Sequence, residues 1–265
     1  MPVIQGLGWT FDTVASIYEK MRPGYPEALY RAVFDYAPVG AGNRALEIGS
    51  GGGQATEPVL KTGCELTAVE CGEQFSALLQ QKFKAYPRFS VITGKFEDVA
   101  LPDATYDLVF SASAFHWVSE EIGYRKVSAI LKPGGTFARF ANHPFRDKGN
   151  PALSQRIDAL YAQYYYPYHG KEPRVLQEYT EQQAMERARI AEQYGFSDIC
   201  FALFFRTRTF TAKEYVALLG TYSDHIAMER SVREAFFSEI EQAINHYGGI
   251  YTVYDTVDLQ LARRS

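Results

Sequence analysis

The sequence predicts an α/β protein whose mostly parallel sheet carries helices on both faces. Three observations predict it. Short apolar runs alternate with helical patterns from residue 44 onward, the rhythm of βαβ units. A glycine-rich turn, Gly49-Ser50-Gly51-Gly52-Gly53, stands directly between the first strand and the first helix of that series. Tyr106–Ser111 is a nearly continuous apolar run, as expected of a parallel strand covered on both sides.

The elements follow in order. Residues 12–37 read as helix, turn, helix: Val14, Ile17, Tyr18 and Met21 share one face, Arg22-Pro23-Gly24-Tyr25-Pro26 breaks it, and 27–37 resumes. Strands are expected at 44–48, 65–69, 89–93, 106–111 and 136–141, with helices after the first, second and fourth. Two late strands, 199–206 and 252–262, enclose helices near 212–220 and 228–246 and finish the sheet as an antiparallel pair. Residues 1–265 read as one domain, with an N-terminal helical cover over 10–37 and a helical lid inserted at 143–195. Right-handed crossovers put the ligand site at the carboxyl ends of the parallel strands.

Composition narrows the function classes. Apolar residues make up 46% and charged residues 22% of the 265, enough to bury a core. A formal charge of −4 argues against a nucleic-acid or anionic-membrane binder. Cys64, Cys71 and Cys200 are too few and scattered for a disulfide framework or zinc site, as expected of reduced thiols in a cytoplasmic protein. Neither a membrane-spanning run nor a secretory signal pattern is present in the sequence.

The strongest chemical signal is Ala45-Leu46-Glu47-Ile48-Gly49-Ser50-Gly51-Gly52-Gly53. Glycines at 49, 51 and 53 let the backbone turn tightly, and the following helix aims N–H groups at the crevice. The spacing is GxGxG rather than the GxGxxG of dinucleotide binders. Glu70 ends the next strand, where a carboxylate can accept from both hydroxyls of a ribose.

Together with residues 93–102 (TGKFEDVALP), 106–118 (YDLVFSASAFHWV) and 130–138 (ILKPGGTFA), these motifs resemble the class I S-adenosylmethionine (SAM)-dependent methyltransferases. The likeness is to the small-molecule, type 11 branch that includes trans-aconitate methyltransferase. It spans about residues 10–142 and implies a seven-stranded, Rossmann-like sheet, six strands parallel and one antiparallel. It also implies that Glu47, Gly49, Ser50, Gly51 and Gly53 shape the methionine side of the SAM site and Glu70 holds the ribose. Phe96 and Glu97 would meet the adenine, and Ser111 and Ala112 would offer backbone contacts near the methionine. Tyr18 and Arg22 would fold over the cofactor, Arg22 pairing with its carboxylate. His116 would line the cofactor pocket or serve as general base, with Trp117 a packing platform.

The acceptor implied is a small molecule, methylated at a carboxylate or hydroxyl by a monomer or homodimer without metal. Tyr161, Tyr164, Tyr165, Tyr166 and Tyr168 fall in the expected lid and Tyr222, Asp224 and His225 in a second region. Of these, Tyr164, Tyr165, Tyr166 and Tyr222 are expected to line the acceptor pocket. Two other readings fit parts of the pattern: a noncatalytic SAM-binding protein, and an NAD-linked oxidoreductase built on the same βαβ start. The Asn/Asp-Pro-Pro-Tyr/Phe motif of amino-group nucleic-acid methylases is absent.

Overall fold

The computed structural model describes residues 21–22, 24–37 and 39–265. Tyr18 and most of the helix expected over 12–21 lie outside them. Seven strands form one sheet: β1 (Arg44–Ile48), β2 (Glu65–Glu70), β3 (Phe89–Thr93), β4 (Tyr106–Ala112), β5 (Leu131–Phe145), β6 (Phe196–Thr211) and β7 (Ile250–Arg264). Their order is β3-β2-β1-β4-β5-β7-β6. β3 through β5 pair in parallel, and β7 runs antiparallel to both β5 and β6, so β7 alone opposes the rest. The chain leaves β1 toward β2 on one side and later reaches β4 on the other. That reversal opens the crevice at the carboxyl ends of β1 and β4.

Apolar residues alternate between the two faces. One core joins Ala45, Leu66, Leu108, Phe110, Ala138 and Phe140 to helix α1 (Glu27–Tyr36), α2 (Thr56–Leu60) and α3 (Glu73–Lys82). Leu29, Tyr30 and Val33 form the buried stripe of α1 at helical spacing. On the other face Leu46, Ile48, Val109 and Phe137 meet Tyr124, Val127 and Ile130 of α4 (Glu120–Ile130).

The outer strands differ most from the sequence expectation. β5, β6 and β7 run past the core strands: the last β4–β5 pair is Ala112↔Phe140, yet β5 continues to Phe145 beside Tyr254. β6 and β7 extend further still, to Thr211↔Ile250. This protruding wall exists because each strand hydrogen-bonds a long partner, which period and propensity within one strand cannot reveal.

The expected lid over 143–195 is corrected accordingly. Its first residues belong to β5, and the remainder divides. Helix α5 (Pro151–Leu160) runs on through a wider π-helical turn, Tyr161–Tyr165, into Tyr166–Tyr168. The Asn150 side chain accepts from Leu153 N at 3.1 Å and Pro151 opens the helix, both favourable at this end. The π turn precedes Pro167, whose ring lacks an N–H and crowds the preceding turn. This helix packs with α7 (Ala212–Leu219), α8 (Ser223–Ile226) and α9 (Arg230–His246) from the β6–β7 insertion, forming one cap over the wall. By contrast, α6 (Glu181–Arg189) and the following turn to Tyr194 leave the cap and cover the sheet on the α4 side.

Tyrosines build the cap core. Tyr161 and Tyr164 meet the fully buried Phe236 at ring distances of 5.0 and 5.7 Å. Replacing Phe236 by Ala should cost about 3–5 kcal/mol of stability, the range for a buried phenylalanine. Urea denaturation showing a loss below about 1 kcal/mol would mean the cap does not depend on this core.

Candidate functional site

The crevice between β1 and β4 is built from their ends. Ser111, fully buried, donates its hydroxyl to the Ile48 carbonyl at 2.9 Å, tying the tip of β4 to the tip of β1. The glycine loop is held by three bonds. Gly49 N donates to Val69 O at 2.9 Å, Gly51 N to the Glu70 carboxylate at 2.8 Å, and Lys82 Nζ to Gly52 O at 2.8 Å. Gly49 and Gly51 have left-handed backbones, with φ of 70° and 52°. A Cβ on Gly49 would sit 2.4 Å from that of Ala114, so the loop and the segment after β4 meet with no room between them. Gly53 is required for packing: a Cβ there would lie 2.6 Å from the Phe83 ring of the following strand–helix unit.

Glu70 accepts from Gly72 N at 2.9 Å on its second oxygen. That oxygen also takes the weak Cys71 thiol donor at 3.6 Å, so Oε2, bonded to Gly51 N, is the oxygen that retains an acceptor position. Glu47 points into the sheet, fully buried, with one oxygen accepting from Thr56 Oγ1 at 2.6 Å. Its other oxygen lies near Ser50 Oγ without a well-formed hydrogen bond, and Gln54 Nε2 is buried without a hydrogen-bond partner among the described residues. Unpaired polar atoms on both sides of a glycine turn are costly in a folded protein and fit a polar ligand. Burial pushes the Glu47 carboxyl up to about 7, against the lowering effects of the Thr56 and Ser50 hydroxyls.

On the far side, Phe96 is buried among Leu46, Ile48 and Val69, and Glu97 accepts from Ser119 N at 3.4 Å. Lys126 of α4 donates to the carbonyls of Phe96, Glu97 and Val99, fixing that loop. Sequence reasoning missed Lys126, which sits 29 residues from Glu97. Ala112 is half-buried at the β4 tip. The next residue, Ser113, has φ of 54°, a conformation that side chains other than glycine's rarely adopt and that clusters at functional sites. Its Oγ takes the Tyr25 hydroxyl at 2.9 Å and Asn142 N at 3.3 Å.

His116 stands in the turn after β4, its ring 4.9 Å from that of Trp117. The residue is exposed to solvent, yet the protein around its ring and the Arg187 cation push its pKa down to about 4. The imidazole is neutral at physiological pH and a poor proton acceptor, which counts against the general-base role.

Other expectations change. Arg22 gives Nε to Thr221 Oγ1 at 3.1 Å and Nη2 to Thr221 O at 3.2 Å, and lies over the Tyr222 ring at 4.2 Å. It thus engages the cap, a different contact from the pairing expected with a cofactor carboxylate. Tyr164 lies on Phe236, Tyr165 gives its hydroxyl to Asp224 at 2.6 Å, and Tyr166 meets Tyr165 edge-on. Tyr165 is buried in the cap, whereas Tyr164 and Tyr166 are half-buried and pack against its core. Asp224 in turn binds His225 Nδ1 at 2.8 Å, and His225 Nε2 meets the Tyr161 hydroxyl at 3.0 Å.

Asp258 and Gln260 are polar residues two apart on β7 and share one face of it. Helix α6 covers that face: Asp258 is fully buried, with His143 Nε2 at 3.0 Å, the Tyr179 hydroxyl at 3.2 Å and Arg187 Nη1 at 3.3 Å. Burial works against its charge, but the His143 contact and the Arg187 cation outweigh it and hold the carboxyl below its usual range. No cluster of three or more potential metal ligands occurs among the described residues, nor any helix long and apolar enough to cross a membrane.

Comparison with known proteins bears on the fold and the family. Residues 46–139 match the family described as a methyltransferase domain (Methyltransf_11). An uncharacterised methyltransferase of Schizosaccharomyces pombe is 24% identical over 90% of this chain and 88% of its own. A structure from Anaeromyxobacter dehalogenans, provisionally described as a type II methyltransferase, superposes with a TM-score of 0.66 at 23% identity, covering 92% of this chain and 98% of that one. A phosphoethanolamine N-methyltransferase of Haemonchus contortus, solved with phosphomonomethylethanolamine and S-adenosylhomocysteine (SAH), gives 0.53 at 17% identity, over 96% of this chain and 57% of that one.

A folded-state pKa raised by burial means that the native state favours the protonated Glu47. Stability is then full below the unfolded value near 4.3 and falls as pH rises through about 7. Glu47→Gln removes this loss. Denaturant midpoints measured from about pH 5 to about pH 8 should decline more steeply for the parent than for the variant. Parallel curves would show that Glu47 is not buried in this way.

Proposed function

Because the chain is a class I SAM-dependent methyltransferase, we propose that it moves the methyl group to an oxygen of a small-molecule acceptor, seated between the β4 tip and the cap. The single observation carrying the cofactor placement is the glycine turn facing Glu70, with unpaired polar atoms on Glu47, Ser50 and Gln54 beside it.

SAM, when bound, supplies a methyl already activated by its sulfonium, for in-line displacement. The residues of this chain bind, orient and exclude water. Glu70 holds the ribose on its remaining acceptor position while keeping Gly51 in place. Glu47, Ser50 and Gln54 face the methionine portion, along the backbone of Gly49 and Gly51. Phe96 and Glu97, fixed by Lys126, border the adenine. Ala112 and the strained Ser113 bring the β4 tip beneath the transferring centre, and His116 lines the same space as a neutral ring.

The protein's main kinetic task is to dehydrate the acceptor and align it about 3 Å from the methyl. A weakly basic His116 suits an acceptor that is already ionised, such as a carboxylate, better than one that must lose a proton during transfer.

Replacing Glu70 by Ala should weaken SAH binding by about 1.5–3 kcal/mol, the value of a hydrogen bond to a charged group. Calorimetry on the folded variant checks this, and unchanged affinity would remove Glu70 from the site. NADH offered in place of SAH should give no heat of binding. Release of SAH from SAM in the presence of a metabolite panel separates catalysis from simple cofactor binding.

A further inference from the structure

Beyond the carboxyl ends of the core strands, guanidinium groups gather around one buried carboxylate. Asp255 is 2% exposed and accepts from Arg206 Nε at 3.0 Å, from Arg208 through Nε and Nη2, and from Asn142 Nδ2 at 2.9 Å. Arg206 also reaches Asn142 Oδ1 and the Gly24 carbonyl, which brings the segment carrying Arg22 alongside. Arg22 lies on Tyr222, and Tyr222 is within electrostatic reach of Arg208. Arg206 and Arg208 therefore outnumber the one carboxylate they share. Arg206 is further occupied by Asn142 and Gly24, whereas Arg208 hydrogen-bonds only Asp255 among the described residues.

Arg208 is the telling residue. Its side chain is only 13% exposed, and Nη1 is buried with no hydrogen-bond partner among the described residues. A cationic donor left unpaired inside a protein is costly unless a ligand completes it. Its location is also informative. Asp255 stands opposite Pro144 and Arg208 opposite Val253, both past the Ala112↔Phe140 pair that ends β4. Asn142, which binds Asp255, also places its N–H on Ser113 at the β4 tip. The cluster thus lies under the cap, joined directly to the place where transfer is proposed to occur.

We infer that Arg208, with Arg22 beside it, receives an oxyanion of the methyl acceptor, so that the substrate is a small organic anion bearing a carboxylate or phosphate group. This rests on the methyl-transfer site proposed above. The same chemistry is offered by the carboxylate of the cofactor's methionine portion, and the experiment separates the two sources.

The wild-type protein saturated with SAH is titrated calorimetrically with sodium succinate, sodium citrate and inorganic phosphate. At least one should bind saturably, which carboxylates or phosphate win defining the class. Arg208→Met should weaken that binding about ten- to hundredfold while SAH affinity stays within a few-fold. Arg208→Lys keeps a charge against Asp255 without the forked donor. It carries the test if the Met variant does not fold, with an expected loss of about tenfold. Saturable SAH binding with no response to any of the three anions would overturn the inference and leave the cofactor site standing. Equal anion affinity in the variants would overturn it too. If the variants instead lose SAH affinity but bind 5′-methylthioadenosine, which lacks the amino-acid portion, as well as the parent does, Arg208 serves the cofactor. Failure of the wild-type protein to bind SAH at all would strike the underlying reading.

Discussion

The parallel pairing of β1 with β4, closed at its end by the Ser111 hydroxyl on the Ile48 carbonyl, is the constraint from which the rest of the site follows. It brings two chain reversals together: the glycine loop leaving β1 and the Ser113–Trp117 turn leaving β4. Gly49 and Ala114 lie so close that any side chain at 49 would clash with Ala114. Glu70 enters from the neighbouring β2, and its carboxylate organises the loop by accepting from Gly51. One side chain therefore both shapes the loop and faces the expected ribose position.

Around that centre the protein separates its tasks. The β2–β3 side carries a rigid loop over 96–99, pinned by the Lys126 ammonium on three carbonyls. On the β5–β7 side the strands overrun the sheet and raise a wall that carries the cap. The two faces of that wall hold different polar networks, Asp255 with Arg206 and Arg208 on one and Asp258 with His143 and Arg187 on the other. Both are buried ion clusters, which stabilise less than their Coulomb attraction implies but strongly penalise loss of one partner. They hold the wall upright where backbone hydrogen bonds alone would leave polar strand faces to be covered.

The cap illustrates how aromatic content can mislead. A run of tyrosines after the fifth strand reads naturally as a pocket lining, because tyrosine combines an apolar face with a polar tip. Here the tips are used internally: Tyr165 is tied to Asp224 and Tyr161 to His225. A helix must bury a stripe before it can present anything, and the stripe through Leu153, Ile157, Leu160, Tyr161, Tyr164 and Tyr165 faces α9. Tyr222, from a separate insertion, comes closer to the expected position because it lies where the cap meets Arg22.

The sequence by itself determined the features that are local. The βαβ rhythm, the strand of Glu47 running into Gly49–Gly53, and Glu70 at the next strand end are all set within about 30 residues, where periodicity and turn chemistry act. The seven strands and the crevice at their carboxyl ends follow from those signals together with the handedness of crossovers. Only the tertiary structure decided what depends on distant partners. Arg139 reaches Gln260 across 121 residues and Arg22 reaches Thr221 across 199, and no pattern along the chain announces such pairs. The alternation of β7 separated its two faces but could not say what covers each. Whether a polar face is wet or buried is settled by what packs over it, and α6 arrives there from another part of the chain.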